Sequence, residues 1–316
     1  MRRLLSFYLP VGVTALISCN MNTSKIKLIK SAHISYFPSG SSVELFNDVL
    51  YIVGDDASEI LLLDKNYNPL NVEDKPVIKR ISKDEKIDLE ASTIIQKEGK
   101  PFLLMVGSGS KENREKVVML PLPYSKNSLS DTTDNSAFIK LLKEKGIEDV
   151  NIEGVASTKQ AIIFANRANI KNAINHLIFT ASSFQDPATS SSITIRKLIL
   201  PDKNIVTGIS GLAYDSINDV LLFTASTEET ANAYDDGKIG DSYVGYIKNI
   251  STQNKEEIMP DGFISLPKSN KLFKGEKIES VCIESVTGNT YTLHLVSDND
   301  KGATGLFKIN FTLSKE

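Results

Sequence analysis

Five copies of one short pattern recur along the chain, and they restrict the fold more than any other feature of the sequence. In four copies a polar residue, an aliphatic residue and a glutamate precede an apolar run, and the remaining copy ends in serine. The copies open at Ser42-Val43-Glu44, Asp88-Leu89-Glu90, Asn151-Ile152-Glu153, Gly208-Ile209-Ser210 and Lys277-Ile278-Glu279. Repeats at intervals of about 45 to 70 residues indicate one structural unit per copy.

Each copy contains further short apolar runs that end in small or polar residues. The second run is Val49 to Val53 in the first copy and Phe102 to Val106 in the second, and the third copy continues with 175–181 and 192–200. Short β-rich runs bounded by turn residues predict strands, and four successive strands per repeat are typical of a propeller blade. The sequence therefore predicts an all-β propeller of five four-stranded blades. A sixth blade within residues 243–266 is the alternative.

Two segments lie outside the repeats. Residues 136–145 have the apolar spacing of a short helix, and Gly146 follows as a stop signal, so we expect one inserted surface helix. The β-rich stretch from Lys25 to Tyr36 precedes the first copy. It is expected to supply the outer strand of the last blade, because an open ring of sheets would leave unpaired edges.

The first 19 residues have the layout of an export signal. Arg2 and Arg3 precede an apolar run of about 14 residues, which is shorter than the roughly 20 that span a bilayer. The run ends in Leu16-Ile17-Ser18-Cys19, which resembles the lipobox of bacterial lipoproteins. The resemblance implies that residues 1–18 are removed and that Cys19 carries acyl chains such as palmitate, which hold the protein on a membrane. An ordinary secretory signal, with Cys19 incidental, is the alternative.

The lipoprotein interpretation divides the chain into three regions and predicts where the protein is located in the cell. Residues 1–18 are the signal peptide, 19–30 the lipidated cysteine and tether, and 31–316 a single propeller domain. Asn20 differs from the aspartate that retains lipoproteins in an inner membrane, so a lipid-anchored position in the cell envelope, at the outer membrane, is expected.

The charge balance limits the partners of the chain. Its formal net charge is −3, and removal of the signal makes it more acidic. A nucleic-acid partner is not expected, because phosphate binding requires a concentrated basic surface. With Cys19 lipidated, Cys282 has no cysteine partner, and its strand-like surroundings predict a buried, inert thiol.

The opening strands of propeller blades line the central channel, so their equivalent residues form a ring. Glu44, Glu90, Glu153 and Glu279 are therefore expected to converge, with Ser210 in the fifth place. Clustered carboxylates repel each other unless a cation neutralises them, and calcium prefers several oxygen ligands. Further candidate residues of this channel mouth are Asp55, Asp56, Asp88, Arg114, Asn166, Arg167, Asp298 and Asp300.

Other roles for the glutamates stay open at this point. Each carboxylate could instead accept backbone N–H groups of the next blade, as a purely structural element, or act directly in catalysis. Arg114 and Arg167 compete with calcium as neutralising groups. The chain has no Gly-x-Ser-x-Gly motif, and His33, His176 and His294 lack metal-ligand spacing, so these signals give no support to a serine hydrolase or a histidine metal site.

Three phrases carry a resemblance to a known family. They are Asn151-Ile152-Glu153-Gly154-Val155-Ala156, Gly208-Ile209-Ser210-Gly211-Leu212-Ala213-Tyr214-Asp215, and Glu279 to Glu284 followed by Val296-Ser297-Asp298-Asn299-Asp300. They resemble the bacterial propellers named for an esterase-like activity of phytase. The resemblance implies hydrolysis of phosphoesters or esters. The acidic calcium sites of the more distant propeller phytases match only at Asp55-Asp56.

Two functions are therefore expected. The first is a membrane-anchored propeller whose acidic mouth binds a cation, a small ligand or a protein. The alternative is a cation-dependent phosphoesterase or esterase of the phytase-like type.

Overall fold

Twenty β-strands dominate the part of the chain that the computed structural model describes, which comprises residues 24–70, 78–125, 128–181, 183–185, 193–201, 205–228, 239–298 and 302–314. The first ten strands are β1 (Lys25–Ile34), β2 (Gly40–Phe46), β3 (Val49–Gly54), β4 (Leu61–Asp64), β5 (Leu89–Lys97), β6 (Lys100–Gly107), β7 (Lys116–Pro121), β8 (Asp131–Asp134), β9 (Ile152–Ser157) and β10 (Ile162–Asn166). The others are β11 (Asn175–Thr180), β12 (Thr194–Leu198), β13 (Thr207–Asp215), β14 (Val220–Glu228), β15 (Ile239–Lys248), β16 (Glu257–Ile258), β17 (Gly262–Ser265), β18 (Lys277–Thr287), β19 (Thr290–Asp298) and β20 (Thr304–Thr312).

The strands form five sheets, which are the five blades of a propeller. Blade 1 is β2-β3-β4, blade 2 is β5-β6-β7-β8, blade 4 is β13-β14-β15-β17, and blade 5 is β18-β19-β20-β1. Blade 3 is β9-β10-β11-β12 with β16 added in parallel at its edge. The inner strands β2, β5, β9, β13 and β18 contact one another in a closed ring. The predicted five-bladed propeller is confirmed.

Two blades differ in strand number from the expected four. Residues 243–266 form no sixth blade, because they supply β17 and most of β15 to blade 4 and β16 to blade 3. Blade 1 has three strands within the described residues. Residues 71–77, which follow β4, lie outside the described part, and Arg80 beyond them forms only an isolated bridge to Ala57.

The N-terminal strand closes the ring, as the sequence predicts. β1 pairs antiparallel with β20, from Lys25 opposite Thr312 to Ile34 opposite Thr304. The propeller thus begins within the stretch assigned to the tether. Residues 1–23, including Cys19, lie outside the described part of the chain, so the signal peptide and the lipid anchor stay predictions.

Apolar side chains from neighbouring sheets pack between the blades. Leu222 and Val244 of blade 4, for example, share one buried cluster with Leu293 and Phe307 of blade 5. Each fully buried side chain of this size contributes about 1.5 to 3 kcal/mol relative to exposure. The interfaces between blades therefore constitute the core.

The predicted helical insertion is present as α1 (Ser136–Glu144), and α2 (Leu266–Ser269) is a single turn. α1 buries Phe138 and Leu142 against blades 2 and 3, and Gly146 follows it with a φ of 100°. The Asp134 carboxylate accepts a hydrogen bond from the Ser136 N–H at 3.1 Å, next to the first turn. Within the described residues, neither helix has the length and apolar character needed to cross a bilayer.

Candidate metal centre at the channel mouth

A β-bulge recurs at one position in all five inner strands. The pairing of each inner strand with its neighbour skips one residue: Ser41, Glu90, Glu153, Ser210 or Glu279. All five lie where the inner strands begin, at the end of the propeller that we call the mouth. Bulges turn a side chain out of the regular alternation and are frequent beside functional sites. The five residues are therefore structural equivalents around the mouth.

Glu44 is not part of this ring, which corrects the sequence-based alignment of the first copy. Ser41 occupies the equivalent position, and Glu44 lies three residues further along β2. Burial raises the pKa of Glu44 well above its usual value. Burial also raises the pKa of the Cys282 thiol, and the Glu44 charge raises it further. The unreactive thiol expected at Cys282 agrees with this environment.

The two serines of the ring connect neighbouring blades. The Ser41 hydroxyl donates to the Leu89 carbonyl at 2.5 Å, and the Ser210 hydroxyl donates to the Ile278 carbonyl at 2.6 Å. In both cases the acceptor is the residue before the bulge of the next blade. An ionised carboxylate cannot donate such a bond. The glutamates at the same position must therefore find other partners.

Glu153 and Glu279 have cationic or amide partners from their own blades. The Asn151 side chain donates to Glu153 Oε1 at 2.7 Å, and Arg167 Nη1 lies 3.7 Å from Glu153 Oε2. Lys277 Nζ lies 3.1 Å from Glu279 Oε1. Each of these two carboxylates thus has a cationic side chain of its own blade within 4 Å.

Glu90 differs from the other two glutamates. No described residue donates a hydrogen bond to it, and it forms a group with Asp55, at the end of β3, and Asp88, at the start of β5. One ligand oxygen from each of the three residues lies within 4.8 Å of the others. We call Asp55, Asp88 and Glu90 the acidic triad. Its members come from two neighbouring blades, because the end of β3 and the start of β5 meet at the mouth.

Two cations contact the acidic triad. The Lys86 ammonium contacts Asp55 Oδ2 and lies 2.6 Å from Asp88 Oδ1. Arg114 Nη1 lies 2.7 Å from Asp88 Oδ2, which also accepts a hydrogen bond from the Ser108 hydroxyl at 2.6 Å. Arg114 was a sequence candidate, whereas Lys86 was not. The only sign of Lys86 in the sequence is that it lies two residues before Asp88, and lysine is too common in this chain for that position to stand out.

The electrostatics of the triad show an excess of negative charge. Burial raises the pKa of Glu90 well above its usual value, and the charges of Asp88, Glu153 and Asp55 raise it further. Burial also raises the pKa of Asp55, although Lys86 opposes this effect. Asp55 Oδ1 is buried and has no hydrogen-bond donor. A further cation at this place would relieve both the repulsion and the missing contact.

Asp56 adds a fourth carboxylate to this corner of the mouth. Arg80 contacts its Oδ2 through Nη2 at 2.6 Å and Nε at 2.7 Å, while the buried Oδ1 has no donor. The Asp56 side chain is only 6% exposed, and its charge raises the pKa of Asp55. Asp56 therefore belongs to the surroundings of the triad.

The remaining candidates have different neighbours. The Asn166 side-chain carbonyl accepts a hydrogen bond from the Asn151 N–H at 2.7 Å, and Arg167 Nη2 donates to the Ser226 hydroxyl at 3.0 Å. Asp298 ends β19 at the mouth, and its charge acts on Arg80. Asp300 lies outside the described residues. The structure therefore brings Asp55, Asp56, Asp88, Glu90 and Arg114 together, and it separates Glu44 from them.

These features define a five-bladed β-propeller with an acidic triad at its channel mouth. The chain belongs to a family of unknown function, DUF6929, whose profile matches residues 36–311. A search of curated protein sequences found no significant match. The phytase-like resemblance stays a prediction from the sequence motifs.

Several solved structures are similar to this chain over most of its length. Glutaminyl cyclase of Myxococcus xanthus has 10% identity and a TM-score of 0.49, covering 93% of this chain and 99% of the other. A putative exported protein of Bacteroides fragilis has 9% identity and a TM-score of 0.36, covering 94% and 97%. The tail fibre of Staphylococcus aureus phage P68 has 10% identity and a TM-score of 0.46, covering 93% and 54%. Similarity at this level carries no inference about function.

Proposed function

We propose that this chain is a lipid-anchored propeller of the cell envelope that binds calcium at the acidic triad of Asp55, Asp88 and Glu90. The observation that carries the proposal is the buried Asp55 Oδ1, which has no hydrogen-bond donor among the described residues and belongs to a group of three carboxylates. More than nine in ten buried polar groups of native proteins are hydrogen-bonded, so such oxygens require an explanation. A cation is the partner that also removes the repulsion between the three carboxylates.

Calcium fits this arrangement better than magnesium. Calcium accepts six to eight oxygen ligands at about 2.3 to 2.6 Å in variable geometry, whereas magnesium requires a nearly ideal octahedron. The triad supplies three carboxylates from two blades, and one oxygen of each lies within 4.8 Å of the others. Water, or a hydroxyl or carboxylate group of a small ligand or protein, would complete the coordination. The mouth can thus recognise an oxygen-rich partner through the ion.

Thermal unfolding with and without calcium tests the proposal. A ligand that binds only the folded state stabilises it by about 2.7 kcal/mol at a concentration 100 times its Kd. We expect added CaCl2 to raise the Tm of the chelator-treated protein and Glu90→Gln to abolish most of that rise. Glu153→Gln is the matched control, because Glu153 is an equivalent bulge residue with partners of its own. No calcium-dependent rise in the unmutated protein would refute the proposal.

Hydrolysis of phosphoesters or esters is the alternative function, supported by the phytase-like motifs. A cation held at the triad would supply the Lewis acid that polarises a phosphoryl or carbonyl oxygen. The test is turnover of p-nitrophenyl phosphate and p-nitrophenyl acetate with calcium and with chelator. Calcium-dependent turnover that Glu90→Gln removes would favour the hydrolase. Stabilisation by calcium without turnover of either substrate would favour the binding protein.

The lipid anchor at Cys19 is the second part of the proposal. Lys25 pairs with Thr312, and the Ser24 hydroxyl accepts a hydrogen bond from the Ser314 N–H at 3.1 Å, at the end of blade 5 opposite the mouth. An anchor that reaches the propeller from this end would direct the mouth away from the bilayer. In detergent partitioning we expect the Cys19→Ala protein to enter the aqueous phase, unless the change also leaves the signal peptide uncleaved. A normally cleaved Cys19→Ala protein that stays in the membrane would exclude the anchor.

A further inference from the structure

We infer that the Lys86 side chain is a tethered cation that occupies the calcium position in the free protein and leaves it when calcium binds. The inference rests on the proposed function and extends it from the ligands of the ion to the control of their occupancy. It assigns a role to a residue that the triad itself does not contain.

The position of the Lys86 ammonium is the first step. It contacts Asp55 Oδ2 and lies 2.6 Å from Asp88 Oδ1, so it bridges two members of the triad. A calcium ion held by the same two oxygens would lie at about 2.3 to 2.6 Å from each of them. The ammonium and the ion therefore require the same space.

Asp88 keeps its orientation without Lys86. Its second oxygen, Oδ2, lies 2.7 Å from Arg114 Nη1 and accepts the Ser108 hydroxyl at 2.6 Å. Both partners are buried beside it, and the hydrogen bonds that they donate to Asp88 go to Oδ2. Departure of the ammonium thus exposes a prepared ligand oxygen.

The main chain around Lys86 allows the side chain to move alone. The Lys86 N–H donates to the Ser82 carbonyl at 2.9 Å, and the Asn113 side chain donates to the Lys86 carbonyl at 2.9 Å. Residues 82–85, immediately before it, are exposed at the rim. Rotation of the four-carbon stem toward the exposed Asp84 would transfer the ammonium into water while its backbone stays fixed.

The charges also favour exchange over joint binding. Three carboxylates with Lys86 and Arg114 carry a formal charge of −1, and adding a divalent ion would change it to +1. With calcium in and Lys86 out, the formal charge is zero. Uncompensated charge in a partly buried site is unfavourable, so calcium and the ammonium should alternate at the triad.

Calcium affinity of lysine variants tests this exchange. We expect Lys86→Met to bind calcium at least about tenfold more tightly than the unmutated protein in calorimetric titrations, because the competitor is gone. Lys116→Met is the matched control, since it removes an ion pair of 2.9 Å with Asp134 outside the triad. Its calcium affinity should equal that of the unmutated protein. Equal or weaker binding by Lys86→Met, with normal binding by the unmutated protein, would overturn the exchange and leave the calcium site intact. Binding by neither protein would refute both.

A measurement on the unmutated protein does not depend on the folding of the variant. Brief acetylation by a water-soluble N-hydroxysuccinimide ester, followed by mass spectrometry, reports the accessibility of each lysine. We expect Lys86 to be protected in chelator and labelled at saturating calcium, while Lys116 is labelled equally in both. Protection of Lys86 that persists at saturating calcium would contradict its displacement.

Discussion

Two clusters of buried polar groups in this propeller contrast in how completely their hydrogen bonds are satisfied. One is the acidic triad at the mouth, where the buried Asp55 Oδ1 lacks a donor among the described residues. The other, which we call the seam network, consists of Tyr67, Glu284, His294 and Lys308, where blade 5 meets blade 1. The contrast is between three carboxylates grouped together and a single carboxylate that a histidine and a lysine contact.

The seam network is a continuous chain of contacts. His294 is fully buried, with Nε2 at 2.7 Å from Glu284 Oε2 and Nδ1 at 3.0 Å from the Tyr67 hydroxyl. Lys308 Nζ lies 2.6 Å from the same Glu284 oxygen. Burial lowers the pKa of His294 to about 4, so the ring is neutral at pH 7. Its Nε2–H donates to the Glu284 carboxylate, and its Nδ1 accepts the Tyr67 proton.

Glu284, like Glu90, lies at a β-bulge of an inner strand. The register of β18 shifts between Ile283 and Ser285, which places Glu284 beside His294. A glutamate on a bulge is therefore not by itself a sign of a ligand site. The distinguishing feature of Glu90 is its acidic neighbours, Asp55 and Asp88, where Glu284 has a histidine and a lysine.

The largest expected effect is loss of the seam network through His294→Leu. The change leaves the Tyr67 hydroxyl without its partner and removes one of the two contacts of Glu284, which keeps Lys308. An unsatisfied buried group costs about 1 to 3 kcal/mol, and a lost hydrogen bond to a charged group costs about 1.5 to 3 kcal/mol. We expect the free energy of unfolding in urea to fall by about 2 to 5 kcal/mol in total. The exposed His33 provides the control, since His33→Leu should change little. If the His294→Leu protein had the same free energy of unfolding as the unmutated protein, the seam network would contribute nothing to the stability of the fold.

The pH dependence of stability should differ in sign between the two clusters. The folded-state pKa of His294 is lower than its unfolded value of 6.5, so the unfolded state binds more protons between pH 6.5 and about 4. Stability from the seam is complete above about pH 6.5 and decreases as the pH falls to about 4, by on the order of 3 kcal/mol. The lowered pKa of Glu284 acts in the same direction.

At the mouth the sign is reversed. The pKa of Glu90 is raised in the folded state, so the folded state binds more protons above the ordinary carboxyl pKa. The corresponding stability is present at low pH and decreases as the pH rises through the raised pKa. The measurement is the free energy of unfolding in urea, determined in chelator at a series of pH values. His294→Leu should remove the pH dependence on the acidic side, and Glu90→Gln should remove it on the more alkaline side. Identical profiles in both variants would remove the distinction.

Sequence reasoning predicted the fold well because repeated strand patterns dictate it. The five inner strands, the closing strand β1 and the helix α1 all follow from local periodicity and stop signals such as Gly146. The ring was less predictable, because a bulge changes register by one residue without any marker in composition. Glu44 was therefore placed where Ser41 lies.

The triad was only partly predictable for another reason. Asp55, Asp88 and Glu90 were recognisable as acids at strand ends, but their grouping depends on which blades are adjacent. The contact of Lys86 with Asp55 and Asp88 depends on the path of an irregular loop. Such a path is set by tertiary contacts such as Asn113 to the Lys86 carbonyl, which no periodicity encodes.

The same substitution, glutamate to glutamine, at Glu284 and at Glu90 compares the two clusters most directly, and its expected effects on stability are the smallest. Glu284→Gln removes the charge that His294 and Lys308 contact, so we expect a loss of about 1.5 to 3 kcal/mol in chelator. Glu90→Gln removes a charge that has only acidic neighbours and Lys86 nearby, so relief of repulsion should raise the stability by up to about 1 kcal/mol. Urea unfolding of both variants in chelator provides the measurement, with Glu153→Gln as the intermediate case. If Glu90→Gln were as damaging as Glu284→Gln, the Glu90 carboxylate would hold the fold together in the same way, and a ligand would not be needed to explain it.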